Sequence, residues 1–197
     1  MILLLALVLS LILAHLLGGR LSNLASLPLR GPGLALGALG IQVVVVYWIA
    51  PGSSLELLRV PLLTLSYVVL AVFIIWNRRL PGMWILGVGL AANWAVILAN
   101  GGRMPVTYEA LVAAGRGSLV TGTAPGTYVF GSKDILLPLQ DTRLWFLSDI
   151  FVIPPPFPIP SVFSVGDAII ALGLLWFVPW ALGAQTHTRL TGSAPSN

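Results

Sequence analysis

Hydrophobic positions in this chain neither alternate nor recur at helical spacing over most of its length. They come as unbroken runs between short polar breaks. The runs cover Ile2 to Gly18, interrupted by Ser10 and His15; Gly33 to Ala50, with Gln42; about Val60 to Trp76; Met83 to Asn100, with Asn93; and Val165 to Leu182, with Asp167 just inside its start. A bilayer crossing takes about 17–25 apolar residues. The pattern predicts an all-α membrane protein with five transmembrane helices, about 2–18, 33–50, 60–76, 83–100 and 165–182. A long outer loop over 101–164 precedes the last helix, within one polytopic domain over 1–197. Pro61 suits a first helical turn, where a missing N–H costs nothing. The first run has no basic residues before it and Arg20 after it, which is the pattern of a retained helix rather than a cleaved signal.

Composition turns that pattern into a class. Of 197 residues, 57% are hydrophobic and 8% charged, with a mean hydropathy of +0.97. A soluble domain carries about 25% charged residues, so lipid is the expected solvent. No cysteine is present, which removes disulfides, thiolate metal sites and thiol nucleophiles. The net charge of +4 is explained by basic loops rather than by nucleic acid. Arg20 and Arg30, Arg78 and Arg79, and Arg189 lie in segments without acids. Glu56 and Arg59 share the other side with a long loop in which Arg103, Arg116, Lys133 and Arg143 balance Glu109, Asp134, Asp141 and Asp149. The positive-inside rule therefore predicts an outer N-terminus and a cytoplasmic C-terminus. The expected partners are the lipid bilayer and other membrane proteins, not nucleic acid.

The outer loop is the least generic part. Thr107 is predicted to cap a short helix from Tyr108 to Ala114, and Thr121 to Phe130 reads as two strands and a turn. Leu144 to Ile153 is apolar but too short to span, so it is expected at the interface or re-entrant. Pro154, Pro155, Pro156, Pro158 and Pro160 then favour an extended path along the membrane surface. Gly192 to Asn197 reads as a frayed tail. Gly33 and Gly37, with Gly40, form a small-residue face expected to pack closely on another helix.

The segment Asn100-Gly101-Gly102-Arg103-Met104-Pro105-Val106 resembles the signature of a family of bacterial polytopic membrane proteins that has no assigned activity. So do Phe146-Leu147-Ser148-Asp149-Ile150 and Ser164 to Gly173. The resemblance implies the bacterial cytoplasmic membrane and no particular chemistry. Ser148 stands where the family pattern has Gly, and Ala168 where it has Ile.

A second resemblance bears on chemistry. Phe146 to Phe151, containing Asp149, and Phe163-Ser164-Val165-Gly166-Asp167 are similar to the two aspartate segments of lipoprotein signal peptidase, an intramembrane aspartic protease. Ser and Gly replace Asn and Ala in the second. The Asp-Arg pair at the end of that enzyme's helix is missing, and the enzyme has four helices. The likeness implies Asp149 and Asp167 as a catalytic dyad. Two close carboxylates in a low-dielectric site cannot both ionise, so one stays protonated while the other activates water. Each residue also has a structural role open to it. Ser164 three residues before Asp167 forms a capping pattern at a helix start, and Asp149 has Arg143 or Arg103 as candidate ion-pair partners. Asn93 and Asn100, seven apart on one helix face, suit interhelical hydrogen bonds.

His15 is the single histidine in an apolar run, and a pigment or haem ligand is the one cofactor role open to it. Otherwise no cofactor is expected, and no metal-ligand cluster is visible. The sequence favours a scaffold or accessory subunit packing on other membrane proteins, because Asp167 has a capping role and the peptidase signature is incomplete; the alternative is an intramembrane aspartic-type hydrolase using Asp149 and Asp167.

Overall fold

The computed structural model describes residues 2–183. His187, Arg189 and the tail from Gly192 lie outside the described residues. Five long helices form where the apolar runs predict them: α1 (Ile2–Leu16), α2 (Pro32–Tyr47), α3 (Arg59–Trp76), α4 (Met83–Ala99) and α6 (Val165–Ala181). A short α5 (Tyr108–Ala113) is capped by Thr107, whose side chain accepts from the Ala110 N–H, as the sequence predicts. Glycines such as Gly18 (φ 81°) and Gly31 (φ 62°) turn the chain between α1 and α2. Glu56–Trp76, 21 residues with a hydropathy of 2.2, is the one helix among the described residues both long and apolar enough to cross a membrane. The other four long helices are apolar but have 15–17 residues.

An all-α description is incomplete. Two small sheets occupy the segment before α6: β1 (Met104–Val106) pairs in parallel with β2 (Asp134–Leu136), and β3 (Phe151–Ile153) pairs antiparallel with β4 (Ser161–Phe163). The strands expected in Thr121–Phe130 are absent; Tyr128 makes only an isolated bridge to Ile135. The proline run from Pro154 forms the loop of the β3–β4 hairpin instead of an extended surface path. Leu144–Ile153 neither spans nor re-enters as a helix. It makes one 3-10 turn (Trp145–Leu147) and then β3.

Packing runs in a chain of neighbours, α1 on α6, α6 on α4, α4 on α3 and α3 on α2. The starts of α1, α3 and α6 and the ends of α2 and α4 share one end of the molecule with the sheets. Arg20, Arg30, Arg78 and Arg79 lie at the opposite end, where the Asn77 side chain bonds both the N–H and the C=O of Arg30. Val45, Ile49, Leu63, Tyr67, Val96, Ile97 and Met104 form the main core, with Tyr67 stacked on Trp94.

The close helix contact is not the one the Gly33–Gly37 pattern predicts. Gly33, Gly37 and Gly40 face open space, whereas a Cβ on Gly89 would lie 2.6 Å from the Gly166 carbonyl oxygen. Small residues admit close backbone approach only on the face that meets a partner. Accordingly, Gly89→Leu should lower thermal stability in detergent by about 1–3 kcal/mol, as overpacking does. Gly33→Leu and Gly37→Leu should leave the midpoint unchanged or slightly raised by helix propensity. Thermal unfolding of the three purified variants checks this, and equal losses at all three positions would contradict the packing scheme.

Candidate functional site

The site is built from the turn that ends α4. Gly101 (φ 71°) and Gly102 (φ 84°) both take left-handed backbone, and their N–H groups bond the Leu98 and Ile97 carbonyls at 3.3 and 2.8 Å. This is a Schellman-type stop, which glycine enters without strain. It sends Arg103 to Val106 straight into the interior, and Gly102 through Val106 are all buried. Asn100 pins the following loop, its amide exchanging hydrogen bonds with the Arg143 backbone. Asn100 is therefore a loop anchor rather than helix glue.

β1 then lies between two acid-bearing segments. On one side its register sets Met104 opposite Asp134. On the other, Val106 bridges Asp149, whose N–H donates to the Pro105 carbonyl at 3.1 Å. Met104 and Pro105 thus act through burial and backbone pairing, with no reactive group of their own. Asp167 arrives from α6. The Ser164 Oγ accepts from the Asp167 N–H at 3.0 Å, the predicted cap. The Asp167 Oδ1 accepts from Asn93 Nδ2 at 2.7 Å, and Ser164 Oγ donates to Asn93 Oδ1 at 2.7 Å. Asn93 is hence the polar tie between α4 and α6.

These pieces meet. Asp149, Asp167, Asp134, Lys133 and Arg116 all line one cavity of about 460 Å³, together with apolar side chains that include Leu111, Val129 and Val162. No direct hydrogen bond joins the three carboxyl groups. Arg103 does not pair with Asp149, because it is committed to Glu56 at 2.7 Å, and Arg143 is exposed. Asp149 Oδ1 is buried with no partner. Burial pushes the Asp149 carboxyl well above the ordinary carboxylate range; Asp134 adds to the shift, Lys133 opposes it and Asp167 adds again. Burial also raises Asp134, with Ser132 and Lys133 pulling it back. At Lys133 burial favours the neutral amine, but the groups of Tyr67, Asp167, Asp149 and Asp134 outweigh it and hold the ammonium above the usual lysine range. The cavity can therefore hold one carboxyl protonated beside another anchored by an amide.

The model of a family of unknown function, DUF5317, matches residues 26–179. The chain belongs to that family. The DUF5317 match takes in the turn, β1, both sheets, Asp134, Asp149 and Asp167, so every element of the cavity wall except the start of α1 lies within it. An uncharacterised protein of Thermotoga maritima is 44% identical over 45 residues, which is 23% of this chain and 27% of the relative. The chain thus covers only about a quarter of that relative's length. No solved structure matches this chain.

Lys133 and Asp134 are not singled out by the sequence, where they appear as two cancelling loop charges. Their one local signal is the preceding Gly131-Ser132 turn. Only the parallel pairing of β2 with β1, which sets Asp134 opposite Met104, brings them to the other acids. His15 is exposed in the last turn of α1, at the far end from this cavity. No group of three or more possible metal ligands of the His, Cys, Asp or Glu type occurs among the described residues.

The raised Asp149 carboxyl has a consequence for stability. An unfolded aspartate titrates near ~3.9, so between that pH and the folded value the native state binds more protons than the unfolded chain. The contribution is complete below the unfolded value and is lost as pH rises through the folded one. Asp149→Asn should therefore raise the thermal midpoint at neutral and alkaline pH and give no gain in acid. Asp134 keeps part of the slope in this variant. A midpoint that tracks the parent at every pH would contradict the buried, proton-holding role.

Proposed function

We propose that the chain is a multi-pass membrane hydrolase of the aspartic type, with Asp149 and Asp167 as its acid–base pair at the extracytoplasmic end. The observation that carries this reading is the shared cavity: two aspartates 18 residues apart in sequence line it, Asp149 with a buried unpartnered oxygen and Asp167 held by the Asn93 amide. Pairs of carboxyls whose environments differ in this way are the usual acid and base of such sites. Asp149, protonated through burial, donates to a substrate carbonyl oxygen. Asp167, oriented by Asn93 at the start of α6, takes a proton from the attacking water. Oxygen adds to the carbonyl carbon; on collapse the carbon–nitrogen bond breaks, and Asp167 returns its proton to the leaving nitrogen. Asp149 is then reprotonated from the hydroxyl as the carbonyl re-forms.

The five-crossing membrane setting is supported by what faces outward. Leu36 on α2, Trp84 on α4, and Leu172 and Trp176 on α6 are each exposed by 60% or more, which water would penalise and lipid would not. The acid-free arginine end opposite the cavity suits a cytoplasmic face. A scaffold or accessory role has its own supporting observation, the open glycine face of α2 at Gly33, Gly37 and Gly40, which would admit a partner helix.

Binding of a peptide whose scissile bond is replaced by a hydroxyethylene isostere tests the hydrolase. Such analogues set a hydroxyl where the attacking water would sit and bind far more tightly than substrate. The parent protein should bind the isostere, and Asp149→Asn and Asp167→Asn should each lose binding while remaining folded. The double variant should be no worse than either single, because the two act as one unit. Equal isostere binding by both single variants would remove the dyad and leave the scaffold.

A further inference from the structure

Beside the acid cavity lies a second one, of about 310 Å³, whose wall includes Arg59 and Arg103. The two cavities share Tyr47, Phe130 and Ser132 among their lining residues. The arginines differ in how their charge is met. Arg103 Nη2 bonds Glu56 Oε1 at 2.7 Å, and its guanidinium carbon stands 3.8 Å from the centre of the Tyr128 ring. Glu56 is engaged at both oxygens: the same oxygen accepts from Tyr128 Oη at 3.0 Å, and Oε2 accepts from the Gly52 N–H at 2.6 Å. Arg59 makes no ion pair, and Arg103–Glu56 is the one salt bridge among the described residues.

Arg59 is 3% exposed. Its Nη2 donates to the Ile49 carbonyl at 2.7 Å, while Nε and Nη1 have no partner. A buried cation without a counter-ion or its hydrogen bonds is strongly unfavourable, and an anion is what relieves it. Guanidinium N–H groups are well matched to phosphate and carboxylate oxygens. Tyr47 in the cavity wall and its neighbour Trp48 are exposed by 66% and 74%, as aromatic residues are at the headgroup level of a bilayer.

We infer that this second cavity is an oxyanion site in which Arg59, backed by Arg103, holds a phosphate group, the sources being a phospholipid headgroup or free phosphate. The site is independent of the acid cavity's chemistry, since no residue named for binding is Asp149 or Asp167. Its nearness means that a bound phosphate ligand would lie alongside the carboxylates.

The test uses the full chain in detergent, with thermal shift read against three probes: a short-chain phosphatidylglycerol, the matching phosphate-free diacylglycerol, and inorganic phosphate. A saturable upward shift with the phospholipid and none with the diacylglycerol is expected, and Arg59→Met should weaken it by about tenfold or more. The methionine keeps much of the side-chain volume, and a buried charge is often replaced by an apolar group without loss of fold. A shift from inorganic phosphate that depends equally on Arg59 supports the site and makes free phosphate its source. No shift from either phosphate probe, or equal binding by Arg59→Met, overturns the site. Should Arg59→Met fail to fold, native mass spectrometry of the unmodified protein with added phosphatidylglycerol decides: a retained phospholipid supports the site, and its absence with inorganic phosphate also silent overturns it.

Discussion

Everything distinctive about the sheet-bearing end of this molecule depends on one buried strand of three residues. The glycine turn after α4 leaves β1 nowhere to go but inward, and its backbone then needs partners on both edges, because unpaired amides in a dry interior are costly. It finds β2 on one side and the Asp149 segment on the other. Both carry carboxylates, so satisfying a backbone requirement concentrates charge. Asp167 joins from a different direction, delivered by the Asn93 tie that locks α4 to α6. The result is three carboxyls and an ammonium around one cavity in a chain that has few charges to place.

That economy of charge shapes the electrostatics. Glu56 has both oxygens engaged, by Arg103, Tyr128 and Gly52, and makes no salt bridge to Arg59. Asp149 meanwhile has a buried oxygen with no donor, and Lys133 supplies compensating charge from the lining of the same cavity. The two adjoining cavities consequently have opposite character. One holds the Asp149 and Asp134 carboxyls, which resist ionising, and the other holds the Arg59 guanidinium, two of whose nitrogens have no partner. Neither Asp149 nor Arg59 makes a side-chain bond between helices; those contacts come from apolar side chains, the glycines at 89 and 166 and the Asn93 tie. Imbalances of this kind are common at functional sites.

Much of the helical frame is legible in the sequence because apolar runs bounded by glycine, proline and arginine report helix position locally. Thr107 and Ser164 announce their caps for the same reason: the donor and acceptor lie three residues apart. The sheets are not legible, since strands of three residues paired with distant segments leave no local periodicity. That is why the β-forming composition of Thr121 to Phe130 misplaces the strands, and why Asp134 is invisible as a site residue. The glycine pattern on α2 fails for another reason: spacing marks a face, but only the partner's position says whether the face is covered. Asp149 is recognisable as unusual, yet its expected arginine partner is not found beside it, because Arg103 is claimed by Glu56 from a different loop.

The acid–base pairing stands on Asp149 keeping its proton in the folded protein. Infrared difference spectroscopy across a pH titration, on the parent and on Asp149→Asn in parallel, reads this directly from the carbonyl stretch of protonated carboxyls. A protonated band that persists to neutral pH in the parent and loses its Asp149 component in Asp149→Asn, leaving what Asp134 contributes, is the predicted result. Complete ionisation of the parent's carboxyls within the ordinary aspartate range, with spectra identical to the variant above it, would contradict the pairing.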